Sequence, residues 1–159
     1  MRLPILLLAA TFAAAAAAQG SRLVVARGAW ASFDRGPTCE ALALSVPVAG
    51  QDRASVAIVF DRIGRRNGEL AARLRRPVRP GSTALLVIGR EPFQLVTRGT
   101  YAWSSGPAQE AAIIAAMRAA GGMRIQARDQ AGRRRTDRYL LDGAPTAIDA
   151  AAAACASKR

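Results

Sequence analysis

The fold is decided by residues 123–141, MRIQARDQAGRRRTDRYLL, which predict two antiparallel strands joined by a turn. Apolar and polar side chains alternate over 123–128, which is the period of a strand with one solvent-facing side. The turn contains Gly132 and leads into the second strand, over 136–141. The alternation places Met123, Ile125 and Ala127 on one side of the first strand, opposite Arg124, Gln126 and Arg128. On the second strand, Asp137, Tyr139 and Leu141 share one side.

Upstream of this hairpin, the chain consists of short apolar or β-branched runs separated by Gly, Pro and Asn residues. Several strands at this spacing are typical of an antiparallel sandwich or barrel. A further run over 70–78 is predicted as an edge strand, because Pro77 has no amide to donate to a neighbour. The other predicted strands cover 23–26, 41–46, 54–60, 83–88 and 93–97.

Two segments follow a helical pattern instead. Pro107 and the glycines after residue 120 bracket an Ala-rich helix over about 107–120. A second helix is predicted over about 146–156, beginning at a capping box formed by Thr146 and Asp149. The predicted fold class is therefore mainly β, an antiparallel β-sandwich or barrel-like domain with two short α-helices.

The N-terminus has the order of a secretory signal peptide. Arg2 supplies charge, residues 3–12 are strongly apolar, and small residues precede a cleavage site near Ala18. A membrane anchor is the alternative, but the apolar run is shorter than the roughly 20 residues needed to span a bilayer. We expect residues 1–18 to be removed, leaving 19–159 as a single periplasmic or secreted domain without a transmembrane segment.

The chain contains two cysteines, Cys39 and Cys155. Because oxidising compartments form and keep disulfides, an exported chain with an even cysteine count is expected to pair them. Cys155 also falls on the inward stripe of the predicted last helix, together with Ile148 and Ala152. Two buried free thiols are the alternative.

The formal net charge is +12, because 22 Arg and a single Lys outnumber 11 Asp and Glu. Two interpretations of this excess are open. The arginines reflect the codon composition of a GC-rich genome and lie in solvent, or they bind anionic lipid or lipopolysaccharide. Nucleic acid is not expected, because no aromatic residues interleave with the arginines to stack on bases. The arginines kept as candidate binding residues are Arg133, Arg134 and Arg135.

The residues of most known catalytic sites are missing. The sequence has no His, and no P-loop or nucleophile-elbow motif occurs. We therefore expect no catalytic residues, no metal site and no cofactor. Hydrolysis by two carboxylates remains the enzymatic alternative, since it needs only a pair of Asp or Glu in one cleft.

Two aromatic residues precede the first predicted helix. Tyr101 and Trp103 are separated by one alanine and could form an exposed recognition ridge. Core packing in a domain with few large side chains is the alternative. Both residues are kept as candidate binding residues.

Residues 101–155 carry a family resemblance. The helix-to-strand step over 115–123, the strand over 136–143 and the Ala-rich helix ending in Cys155 resemble the C-terminal half of invasion-associated locus B family proteins. Upstream, Trp30 and the segment beginning at Cys39 are also similar. The resemblance implies an exported protein of α-proteobacteria with a mostly β fold. The family has no established catalytic residue, so the resemblance assigns none to this chain.

Together these observations predict an exported binding protein of the cell envelope without catalytic activity. Its partner would be an envelope or host-surface molecule that the sequence does not identify. A carboxylate-dependent envelope hydrolase and a basic binder of anionic envelope surfaces are the two alternatives.

Overall fold

The structure is a computed structural model that describes residues 20–157. The predicted signal peptide and its cleavage site lie outside the described residues. In the described part, ten strands and two helices form a mainly β domain, which confirms the predicted fold class. The strands are β1 (Arg22–Arg27), β2 (Trp30–Asp34), β3 (Thr38–Leu44), β4 (Ser55–Asp61), β5 (Asn67–Arg73), β6 (Ala84–Ile88), β7 (Glu91–Arg98), β8 (Tyr101–Trp103), β9 (Gly122–Arg128) and β10 (Arg134–Leu140).

All neighbouring strands are antiparallel, in the order β1-β2-β3-β4-β5-β8-β7-β6-β9-β10. The sheet curves so that β10 approaches Trp30 of β2 and the segment that follows β3. The Trp30 indole donates to the Leu140 carbonyl at 2.8 Å, and the Val46 amide donates to the Arg138 carbonyl at 2.7 Å. These bonds satisfy backbone carbonyls at the outer edge of β10, where the sheet would otherwise end unpaired.

The core lies inside this curve, where the inward residues of the strands meet the two helices. Helix α1 (Pro107–Ala119) packs against β5, and α2 (Ala144–Ala156) packs against β1, β2 and β3. The largest fully buried side chains include Trp30, Tyr139 and Ile113. Alanines fill the space where α2 meets the sheet, which lets the helix approach the strands closely.

The hairpin predicted over residues 123–141 is confirmed as β9 and β10. Of its inward residues, Ala127 is half-buried and the others are buried, including Asp137, which pairs with the guanidinium of Arg75. The disulfide is also confirmed: Cys39 and Cys155 are bonded, with Cα atoms 5.6 Å apart. This bond joins β3 to the last turn of α2 and closes a loop of 116 residues.

Two local predictions are wrong. The segment after residue 66 is not an edge strand, because β5 ends at Arg73 and lies between β4 and β8, while Pro77 falls outside it. Helix α2 begins two residues earlier than predicted and has no side-chain cap. Gly143, at φ +83°, caps it instead, while Asp149 forms an ion pair with Arg118.

Candidate binding surfaces

The outward side of the β9–β10 hairpin is densely basic. Successive side chains of a strand point to opposite sides of the sheet, so every second side chain of β9 and of β10 points away from the core. The register places Arg128 directly opposite Arg134, and Arg124 directly opposite Arg138. These four arginines are called the arginine face below, and Gln126 and Thr136 lie between them.

No acidic partner neutralises this face. Within residues 20–157, none of its four guanidinium groups forms an ion pair. Two like charges directly opposite each other on neighbouring strands destabilise a sheet. Four positive charges thus lie within about 14 Å along the strands and about 5 Å across them. A multivalent anion that binds here would relieve the repulsion among these charges, so its binding is favourable.

A shallow depression of about 1030 Å³ continues the basic surface from Arg128 and Arg134 towards Arg79. The Arg79 amide donates to the Arg128 carbonyl at 3.1 Å, which ties the loop before β6 to the end of the hairpin. Arg79 also forms no ion pair in the described chain. The lining of the depression is about equally polar and apolar, and its three arginines can donate hydrogen bonds to the oxygens of a phosphate-bearing headgroup.

The three consecutive arginines predicted as binding residues have different roles in the structure. Arg133 and Arg135 both form ion pairs with Asp129, at 3.4 and 2.9 Å, and so close the hairpin turn. Burial raises the pKa of Asp129, but the Arg133 amide and the two guanidinium groups lower it by more. The net effect is a pKa below the usual range of an aspartate. Only Arg134 lies on the arginine face. The alternation of apolar and polar residues over 123–128 is the sequence signal that could have identified Arg124 and Arg128 as further members of the arginine face.

Tyr101 and Trp103 lie elsewhere, on the outer side of the strands that precede the hairpin. They form β8 together with buried Ala102, and Tyr101 is 58% exposed while Trp103 is half-buried. Both line an open groove of about 810 Å³. Strands β7 and β6 separate this groove from the arginine face, so the candidate residues do not form one site.

The groove, called the outer groove below, follows from side-chain size along one row of the sheet. The strand register places Leu42, Ala57, Ala71 and Trp103 side by side on β3, β4, β5 and β8. The two alanines leave the middle of the row low, and the leucine and the tryptophan rise on either side. The result is an apolar channel that runs parallel to the strands.

Charged residues of opposite sign line the two ends of the outer groove. Glu40 and Glu69 lie at one end, and Arg73 and Arg98 lie beside Tyr101 at the other. Burial raises the pKa of Glu69, against an opposing effect from the nearby guanidinium of Arg66.

Glu40 accepts hydrogen bonds from the Arg35 guanidinium, one of them at 2.7 Å. Glu69, Arg73 and Arg98 form no ion pair with any described residue. The groove therefore presents both signs of charge to a ligand.

Residues 20–157 contain neither a metal-binding cluster nor a membrane-spanning helix. No group of three or more Cys, Asp or Glu comes together in a way that could hold a metal ion. Neither helix in this range has the length and hydropathy needed to cross a lipid bilayer. No family model matches the chain, and no curated protein or solved structure matches it either.

Proposed function

We propose that this protein is an exported, non-catalytic binding protein of the cell envelope that attaches to anionic lipid through the arginine face. The observation that carries the proposal is the set of four guanidinium groups that form two like-charged cross-strand pairs and have no acidic partner among residues 20–157. Juxtamembrane arginines contribute about 1 kcal/mol each to binding an anionic membrane surface. Phosphates of phospholipids and of lipopolysaccharide share the chemistry that this face recognises.

The residues next to the arginine face favour a lipid surface over a soluble anion. Leu140 continues the outward row of β10 beyond Arg138 and is 58% exposed. Val46, whose amide donates to the Arg138 carbonyl, is 38% exposed. Apolar side chains beside cations are typical of protein segments that lie in the membrane interface. The outward side of β9 and β10 carries no aromatic residue for stacking on bases, so nucleic acid remains an unexpected partner.

Export is part of the same proposal and rests on the sequence pattern at the N-terminus. The Cys39–Cys155 disulfide is in keeping with an oxidising compartment. We also propose membership of the invasion-associated locus B family, on the residues quoted between 101 and 155. The experiment for export is mass spectrometry of the protein from a periplasmic or culture-medium fraction. A mature N-terminus near Gln19 supports the proposal, and an intact residue 1–18 segment contradicts it.

The arginine face is tested by co-sedimentation with lipid vesicles at low salt, using two variants that lose the same charge. Arg124→Gln/Arg138→Gln removes two of the four guanidiniums and should weaken binding about thirtyfold, equivalent to about 2 kcal/mol. Arg65→Gln/Arg90→Gln removes two exposed, unpaired arginines outside the face and should change binding much less. Vesicles of anionic phospholipid and vesicles containing lipopolysaccharide distinguish the two phosphate sources. Equal losses for both variants would attribute binding to net charge and contradict the proposal.

A second candidate function, hydrolysis by two carboxylates, is favoured by one observation. Glu40 and Glu69 both line the outer groove and lie two strands apart, which corresponds to about 9.6 Å between their backbones. An inverting pair needs carboxyls about 6.5–9.5 Å apart and a proton donor with a raised pKa. Release of soluble fragments from isolated envelope polymer by the wild type, and not by Glu69→Gln, would support this function. No release by either protein would remove it.

A further inference from the structure

We propose that the outer groove binds an extended peptide segment of a partner protein, about five residues long, with a basic and an acidic residue four positions apart. The outer groove and the arginine face share no residue, so a test of lipid binding does not decide whether the groove binds a peptide. It rests on the shape of the groove and on the distribution of charge along it.

The shape fits one extended chain. The groove lies between Leu42 on β3 and Trp103 on β8, which are three strand spacings, or about 14 Å, apart. Its floor is formed by Ala57 and Ala71, and its length follows the strand direction. A peptide lying along this channel would place apolar side chains on the alanines and against the Trp103 indole. Burying one such side chain contributes favourably to binding.

The charges fit the same ligand. Glu69 and Arg73 are four residues apart on β5, which separates them by about 13–14 Å along the strand. Arg98 lies on the far side of Tyr101 from Arg73, so the cationic end carries two guanidiniums. An extended peptide has nearly the same rise per residue, so its side chains at positions i and i+4 reach both ends at once. A neutral glycan offers no charges for these ends to pair with.

The peptide sequence that the groove prefers can be measured before the partner protein is known. The probe is a displayed library of random heptapeptides, selected on the mature protein and counter-selected on Ala71→Phe, which fills the groove floor. Ala71 is half-buried on the outer side of β5, so the added ring occupies the groove and leaves the core unchanged. Ala111→Phe, at an exposed position of α1, is the matched control.

We expect enriched peptides that carry opposite charges four residues apart with apolar residues between them. A selected peptide should bind Ala71→Phe at least about tenfold more weakly than wild type, and Ala111→Phe equally well. Glu69→Gln and Arg73→Gln should each weaken it about two- to fivefold, the range for an exposed ion pair. Circular dichroism melting of each variant verifies that it is folded.

Three results would overturn the proposal. The first is a selection that enriches no peptide, or peptides without the charge spacing. The second is binding of a neutral N-acetylglucosamine oligomer that Ala71→Phe abolishes, which would make the groove a glycan site. The third is a wild-type dimer in sedimentation velocity that Ala71→Phe converts to monomer, which would make a second copy the occupant.

Discussion

The disulfide gives the most quantitative prediction for the folded domain. Cys39 lies on β3, between β2 and β4, and Cys155 lies in the last turn of α2, so the bond ties the C-terminal helix to β3. Replacing both residues, as Cys39→Ala/Cys155→Ala, frees a loop of 116 residues in the unfolded chain. The chain-entropy relation for that loop length gives a loss of about 4.8 kcal/mol in the free energy of unfolding. For a domain of this size the melting temperature should fall by about 15 °C.

The assay is urea unfolding followed by tryptophan fluorescence, with and without reductant. Trp30 is almost fully buried, so its emission reports loss of the core. Reductant should lower the midpoint of the wild type close to that of the variant, and it should leave the variant unchanged. A wild-type midpoint that stays the same after thiol titration has shown full reduction would refute the reasoning. It would mean that packing of α2 alone holds the helix on the sheet.

Three further outcomes are expected, all measured by urea unfolding. Asp137→Asn leaves a buried guanidinium without its anion and should cost about 3 kcal/mol, whereas Asp149→Asn breaks an exposed pair and should cost less than about 1 kcal/mol; equal losses would contradict this. Gly143→Ala should prevent folding, because its Cβ would lie 1.9 Å from a carbonyl oxygen, whereas Gly132→Ala at φ +78° meets open space and should cost about 1–2 kcal/mol. Asp129 has a pKa below its unfolded value, so the stability it contributes is present above about pH 4 and is lost as the pH falls through the folded-state pKa; Asp129→Asn should therefore destabilise at pH 7, and its difference from the wild type should shrink as the pH falls below about 4.

The parts of the fold that were predicted correctly are those with an unbroken local pattern. Alternation over 123–128 and 136–141 predicted β9 and β10, and Pro107 with the following glycines predicted α1 to within a residue. Strand β2 was missed because its inward set includes Ser32 and Asp34, which read as polar turn residues. Asp34 is buried only because Arg62 and Arg22, distant in the chain, reach it with their guanidiniums. Such a pairing leaves no local signature.

The candidate surfaces were predicted less completely, for a similar reason. The run Arg133 to Arg135 is conspicuous in the sequence, yet the turn geometry brings two of these residues to Asp129. The arginine face depends instead on the register between β9 and β10, which pairs Arg124 with Arg138, fourteen positions away. The outer groove depends on four strands whose register brings Leu42, Ala71 and Trp103 into one row. Neither arrangement follows from the spacing of residues within one segment.

We propose that the outward side of the β9–β10 hairpin binds an anionic lipid surface. The most direct measurement is the partition of the mature protein onto vesicles of zwitterionic lipid and of the same lipid with anionic phospholipid added, at low and at high salt. Screening shortens from about 10 Å at 0.1 M salt to about 3 Å at 1 M. We predict partition onto the anionic vesicles only, lost as the salt rises. Equal partition onto both kinds of vesicle, or partition that salt does not weaken, would contradict the account.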